Sequence, residues 1–533
     1  MKNTENNFQK GSIYLSEFPF TDLNSSKILP VVVLYEEERF NDVTIMAISS
    51  MATKKNGPHT ILLSSEHRDF VKTGLKKESV ILPWRIATIK KDRLFYRLGS
   101  LAQRYMDELD IMLLNKLKIG FETSKRENNI PYGRQSIDDS DIFSVVKTLR
   151  SAYLTQGPRI KQYEELLAEY CGTKYAVAVS SGTAALHIAC LAVGLGKDDT
   201  LWTSPNTFVA SANCALYCSA KPDFVDINPI SYNMDVDKLE AKLIEASKTD
   251  SLPQIVIPVH FAGQSCEMER IYDLSKRYNF KIIEDACHAL GGSYKNKKIG
   301  SCVFSDMTVF SFHPVKVLTT GEGGMILTNN VELYEKLLLL RTHGITKTPE
   351  KFTNKKLAID NSYFTNPQSA IDNRQSTNPW YYEQIDIGMN YRITDIQASL
   401  GISQLKRLNG FVSKRYELAQ QYNKLLSGLP LILPYQHPDN YSAFHLYVVR
   451  LKLEKINKTR KEVFEFLRKK GIGVNVHYIP VHIQPYYKKQ GFEHGQYPEA
   501  ENYYEETITL PLYPTMTELE QEKVVNAIQE ALV

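Results

Sequence analysis

The chain has 533 residues, 43% hydrophobic and 23% charged, and a net charge of +4. That is too long for one ordinary domain, roughly three or four domain-sized units, and it lacks the strong basic excess that by itself predicts nucleic-acid binding. No apolar run of about 18 residues occurs, so no transmembrane helix is expected, and the polar start MKNTENNFQKGS lacks the apolar core of a secretory signal. The seven cysteines are scattered, odd in number and without CxxC spacing. They predict a reduced, cytoplasmic protein with no disulfide framework and no metal site.

Residues 1–130 hold 20 Lys+Arg against 16 Asp+Glu, which accounts for the whole net charge. Alternating apolar patterns predict strands over 11–18, 30–35, 43–48, 60–63 and 80–89, with a turn-rich loop over 19–26. Apolar residues at Leu101, Met106, Leu109, Met112, Leu113 and Leu117 predict one amphipathic helix over 98–117. The expectation is a small β-barrel-like domain, 1–118, closed by a helix. The stretch GSIYLSEFPFTDLNSSKILPVVVL, with SVILPWRIATIKKDRLFYRLGSL further on, resembles the MazF/PemK toxin ribonucleases over about residues 10–118. The resemblance implies that fold, with RNA or an antitoxin as partner. In that family an arginine directly before the loop proline helps cleave RNA; here Leu29 stands before Pro30. The family's hydroxyl after the next strand falls on Ser49 or Ser50. A site without its cation lacks the charge that stabilises the transition state, which leaves a regulatory or docking module as the other reading. Polar, non-periodic 119–130 reads as a linker.

From 130 onward helices alternate with short apolar strands. Helices are predicted over 142–151, 161–171 and 184–193, and strands over 175–179, 200–203, 222–225, 255–260, 281–284, 308–312 and 325–328. The alternation predicts an α/β fold, a mostly parallel sheet with helices on both faces. Ligands then bind beyond the carboxyl ends of strands. Ser181-Gly182-Thr183 follows one strand and opens a helix; such a sequence is ordinarily a cap, and also suits a phosphate. Phe208, after the next strand, either packs the core or stacks on a flat ring. Asp285 ends a third apolar strand, as an N-cap or as a buried carboxylate awaiting a cation. Lys316 follows 31 residues later, in a turn stiffened by Pro314 and closed by glycines. A lone lysine there is ordinarily solvated, but desolvation would free its amine for a Schiff base. Ser311, on the strand entering Lys316, can share the phosphate. The ordered set is what pyridoxal 5′-phosphate (PLP) chemistry asks of a protein.

SSGTAALHIA, TSPNTFVASANCAL, EDACHALGG, FSFHPVKVLTTGEGG and GMNYRITDIQASLGISQLKRL resemble the DegT/DnrJ/EryC1/StrS family of PLP-dependent sugar aminotransferases across nearly all of 131–533. The resemblance implies a fold type I PLP-transferase, with a large domain over 131–410 and a small α+β domain over 411–533. It implies that Lys316 carries the cofactor, Asp285 holds the ring nitrogen and His288 sits by the ring. Phe208 would stack on the ring, and Gly182, Thr183 and Ser311 would hold the phosphate. Asn390 would reach that phosphate from the second subunit of a homodimer. TQGPRIKQYEELLAEYCGTKYAVAVSSGTAALHIA, PWYYEQIDIGMNYRITDIQASLGISQLKRL and GVNVHYIPVHIQPYY are similar to the pseudaminic acid branch. That branch aminates C4 of a UDP-linked 4-keto-6-deoxy-2-acetamido sugar with L-glutamate, and His477 and Tyr478 would lie near the sugar nucleotide. In the small domain, helices are expected over 412–426 and 460–470, and strands over 446–451 and 473–477. The polar stretch 347–378 reads as a lengthened surface loop.

Overall fold

The computed structural model describes residues 8–19, 26–37, 39–50, 60–116, 129–353 and 380–533. Residues 20–25 of the predicted loop, 119–128 of the linker and 354–378 of the polar stretch lie outside the described residues, while Pro19 and Ser26, expected in the loop, end and begin strands. The chain divides into two compact units, Met1–Arg126 and Glu127–Val533.

The first unit is a six-stranded antiparallel sheet. Its strands are β1 (Ser12–Pro19), β2 (Ser26–Glu37), β3 (Asp42–Ser49), β4 (Ile61–Leu63), β5 (Ser79–Lys90) and β6 (Leu94–Ser100), in the order β4-β5-β3-β2-β1-β6. One helix follows, α1 (Gln103–Lys116). Alternation divides the core: Ile13, Val32, Met46 and Ile81 pack with Tyr105, Met106 and Leu109 of α1, whereas Tyr14, Val31, Val33 and Ile45 pack on the opposite face. The predicted helix over 98–117 is corrected at its start. Leu94–Ser100 pairs with β1 as an edge strand, and no residue of that strand is fully buried, so it carries no alternating apolar signal.

The second unit is built on a seven-stranded sheet. In chain order its strands are β7 (Tyr175–Val179), β8 (Thr200–Thr203), β9 (Lys221–Phe224), β10 (Ile255–Ile257) and β11 (Lys281–Asp285). After β12 (Ser293–Tyr294) and β13 (Lys297–Lys298), which form a separate three-stranded sheet with Asn440–Tyr441, come β14 (Met307–Ser311) and β15 (Gly324–Thr328). The spatial order is β7-β15-β14-β11-β10-β8-β9. Only β15 runs against the others, pairing antiparallel with both β14 and β7. The strands are apolar on both sides because both faces are covered. Val177, Val179, Ile283, Val309 and Ile326 face a cluster built with the helices α4 (Gly182–Ala192), α5 (Ala210–Tyr217) and α8 (Val331–Arg341). Their strand neighbours Ala176, Ala178, Phe310 and Met325 turn the other way, onto α3 (Pro158–Cys171), which follows α2 (Asp139–Leu149) in the chain. Trp202, Val256 and Ile282 pack on α6 (Val236–Lys248) and α7 (Met268–Tyr278).

Beyond residue 407 a smaller layer forms. Strands Leu431–Ile432, Tyr447–Leu451 and Thr507–Leu510 make a three-stranded antiparallel sheet. Helices Arg460–Lys469 and Glu518–Leu532 cover it. The expected boundary at 410/411 falls inside one continuous helix, Leu408–Leu425. Leu408, Phe411 and Val412 pack in the large layer's core and Leu418, Ala419 and Tyr422 in the small layer's. The predicted strand over 473–477 does not form. Gly473 N–H donates to Ile130 O and Asn475 makes a single bridge to Thr509, so the segment is shared between two partners instead of laddering with one.

Candidate active site

At the carboxyl ends of β7, β8, β11 and β14 lies a cavity of about 550 Å³, inside the ~300–1,000 Å³ range of small-molecule sites. Gly182, Thr183, Phe208, Asp285, His288, Ser311, Lys316, His477 and Tyr478, nine of the residues singled out from sequence, line it together. Asn390 does not; it is exposed and bridges Thr342 away from the cavity.

Lys316 follows β14 in an arc tied at its ends. Phe312 N–H donates to Gly323 O (2.9 Å), and Thr320 N–H and the Thr319 hydroxyl both donate to Phe312 O (3.0 Å each). Burial lowers the pKa of Lys316, opposed by the negative charges available at Cys287 and Asp285. No hydrogen-bond acceptor among the described residues holds its Nζ. Asp285, at the end of β11, is 6% exposed. It accepts from Ser211 Oγ (2.6 Å) and Cys287 N–H (3.2 Å), yet no ion pair offsets its charge among the described residues. A buried carboxylate without a cation is costly.

Ser181 caps α4, accepting from Ala184 N–H at 3.1 Å. The N–H groups of Gly182 and Thr183 find no acceptor among the described residues. A Cβ on Gly182 would stand 2.8 Å from Ser311 Cβ, so only glycine lets this helix end close against the Ser311 hydroxyl. Two free N–H groups, a helix dipole and two hydroxyls make an anion cradle. Phe208 is 57% exposed and lines the cavity, which decides against core packing.

His288 is buried beside this pair. Its Nδ1 accepts from Ala262 N–H (3.3 Å), which leaves the proton on Nε2, 3.2 Å from the Tyr478 hydroxyl. Burial, then the Lys316 charge, holds its pKa well below the usual value. His477 is likewise neutral, pushed down to about 3 by burial and Lys316. It meets the Thr509 hydroxyl at 2.8 Å. His445, absent from the sequence reading, lies with its ring centroid 4.5 Å from that of His288. Tyr132, Cys287, Glu322 and Asn475 also line the cavity. Asn475 and Cys287 sit inside motifs already picked out, whereas Tyr132 carries no local signal.

Residues 135–529 match the DegT/DnrJ/EryC1/StrS aminotransferase family. The chain belongs to that family. Members of the DegT/DnrJ/EryC1/StrS family are PLP-dependent, and this chain is a PLP-dependent sugar aminotransferase. It is 40% identical over 409 residues to the spore coat polysaccharide biosynthesis protein SpsC of Bacillus subtilis, covering 76% of this chain and 98% of that protein. It is 39% identical over 388 residues to the UDP-4-amino-4,6-dideoxy-N-acetyl-beta-L-altrosamine transaminase of Campylobacter jejuni, covering 73% and 93%. Among solved structures, a putative sugar aminotransferase from Streptococcus pneumoniae in its PLP form superposes with a TM-score of 0.64. It is 28% identical, covering 76% of this chain and all of that one. Residues 9–117 match the PemK-like, MazF-like toxins of type II toxin-antitoxin systems.

The residues present fit the cofactor. The unpaired Asp285 carboxylate suits a protonated ring nitrogen, the free N–H groups of α4 suit a phosphate, and the unheld Lys316 amine suits an aldehyde.

Proposed function

We propose that residues 127–533 transfer the amino group of L-glutamate to C4 of a UDP-linked 4-keto-6-deoxy-2-acetamido sugar. The product is UDP-4-amino-4,6-dideoxy-N-acetyl-beta-L-altrosamine, for pseudaminic acid biosynthesis. The observation that carries the chemistry is the unpartnered Lys316 amine in one cavity with the unpaired Asp285 carboxylate. The sugar rests on the likeness to the Campylobacter transaminase and on the stretch GVNVHYIPVH around His477. The Bacillus relative, named for spore coat polysaccharide, is as similar, and it favours a second reading: another nucleotide-sugar 4-aminotransferase.

Bound PLP supplies an aldehyde that takes up amines and a ring that draws electrons from the bond being broken. The chain's own groups do the rest. Lys316 Nζ would take the proton from the α-carbon of glutamate and hand it to the cofactor carbon that keeps the amine, and in the second half would carry a proton from there to C4 of the sugar; its burial favours the free amine that a base must be. Asp285 keeps positive charge on the ring nitrogen. Phe208 stacks on the ring, and Gly182, Thr183 and Ser311 hold the phosphate. His288, neutral and pinned from both nitrogens, supports the ring without adding charge, while His477 and Tyr478 stand beside the sugar. Asn390 completes the phosphate site of a partner subunit in a homodimer. The odd number and scatter of the seven cysteines suit a cytoplasmic enzyme.

Incubation with glutamate and a panel of UDP-4-keto sugars, with products identified by NMR, tests the substrate. The altrosamine product is expected, and amination of a different sugar moves the assignment to the second reading. Lys316→Ala is expected to lose turnover and the visible absorbance of covalently held cofactor; normal turnover in that variant would refute the lysine's role.

We infer that the first unit does not cleave RNA, because Leu29 stands where the toxins carry arginine. Its match to the toxin family supports a retained binding surface for RNA or an antitoxin. Cleavage of RNA by the full chain, at a rate unaffected by Lys316→Ala, would overturn this.

A further inference from the structure

The turn entering α5 holds a chain of buried hydroxyls that the transamination chemistry above leaves without a role. Thr207, Ser211 and Asp285 are 2%, 0% and 6% exposed. Ser211 Oγ donates to Asp285 Oδ2 at 2.6 Å, and Thr207 Oγ1 lies 2.8 Å from Ser211 Oγ. A serine hydroxyl has one proton, and Asp285 takes it. The second contact is therefore Thr207 donating to Ser211, which gives a directed series from Thr207 through Ser211 to Asp285. Each donor in such a series polarises the next. On the other carboxylate oxygen, Oδ1, the Cys287 N–H donates at the longer distance of 3.2 Å.

An aspartate carboxylate turns freely about its last bond, because that torsion is broad and two-fold. A single donor on one oxygen leaves the plane of the group undefined. Short donation to the other oxygen fixes the plane, and with it the direction in which the carboxylate presents its charge. The same turn presents Phe208 to the cavity, one residue after Thr207, and Ser211 N–H donates to Phe208 O at 3.2 Å.

We propose that Ser211, supported by Thr207, is a positioning residue that sets the plane of the Asp285 carboxylate, so that residues 207–211 align both the edge and one face of the bound cofactor ring. This rests on the reading that Asp285 meets the ring nitrogen.

The test uses the full chain and PLP. Cofactor affinity is measured by equilibrium dialysis, the orientation of the ring by visible circular dichroism of the bound cofactor, and folding by melting of the apoprotein. Ser211→Ala is expected to weaken cofactor binding by about ten-fold, the scale of a lost hydrogen bond to a charged group, and to change the dichroic band. Thr207→Val is expected to move both readouts in the same direction by less, and Thr207→Ser, which keeps the donor, to restore them. Should Ser211→Ala fail to fold, the Thr207 pair decides alone. Wild-type affinity and dichroism in Ser211→Ala or in Thr207→Val overturn the proposal, as does equal impairment of Thr207→Ser and Thr207→Val, which would mark packing alone. Asp285→Asn separates the two layers. An unchanged cofactor spectrum there defeats the ring-nitrogen reading, whereas a changed one with Ser211→Ala unaltered defeats only the role of Ser211.

Discussion

Three buried imidazoles, His288, His445 and His477, feel the charge of Lys316, and each is held neutral by burial first and by neighbouring cations second. The charge they withhold makes folding sensitive to acid. Below pH 6.5 the unfolded chain protonates its histidines, while folded His477 stays neutral down to about 3. The unfolded state then binds more protons, so stability falls as pH falls through that window, by at most about 1.4 kcal/mol per pH unit for one such histidine. Melting of the apoprotein between pH 7 and pH 5 is expected to show this slope. His477→Asn, which keeps a donor for Thr509, is expected to flatten it; an unchanged slope would mean that His477 charges freely in the folded state. None of this was legible in the sequence. His288 was visible as part of a motif, but the neutrality of an imidazole depends on what packs around it, and His445 comes from a distant part of the chain.

The start of α4 depends on Gly182. With no side chain it lets the free N–H groups of the helix approach Ser311, and an alanine there would press its Cβ to 2.8 Å from Ser311 Cβ. Gly182→Ala is expected to leave α4 helical, since alanine favours helix, but to push its end from β14 and weaken phosphate and PLP binding by an order of magnitude or more. Cofactor titration beside far-UV dichroism checks it, and undiminished affinity would show that the close approach is dispensable. The strands of this sheet were readable because their apolar runs are buried on both faces and bounded by turns; β7 and β8 fall where the pattern puts them. The strand Leu94–Ser100 was not, because an edge strand with exposed Phe95 and Tyr96 has no buried face to leave a period-two trace. Nor could the pattern 473–477 reveal that its backbone partners come from Ile130 and Thr509.

At the scale of the whole molecule, each of the two units carries its own core, Ile13–Leu109 in the first and the double-faced sheet in the second. Separate melting transitions are expected by calorimetry, only the larger one rising in temperature when PLP is added, as ligand linkage requires; a single transition shifted as one would show that the units fold as one. The exposed Asn390 makes a second expectation. If it serves the cavity of a partner, a mixture of Lys316→Ala and Asn390→Ala chains should turn over faster than either alone, because one site in each mixed pair is intact. The closed arc after β14 has a further consequence. With Phe312 and Gly323 hydrogen-bonded to each other across its neck, the arc is a fixed pivot, and the four-carbon arm of Lys316 supplies all the travel. With Lys316 as the base proposed above, handing a proton from one carbon to another would be a swing about side-chain bonds, a matter of rotamers rather than of opening a loop, so the backbone of 312–323 could stay still throughout a turnover.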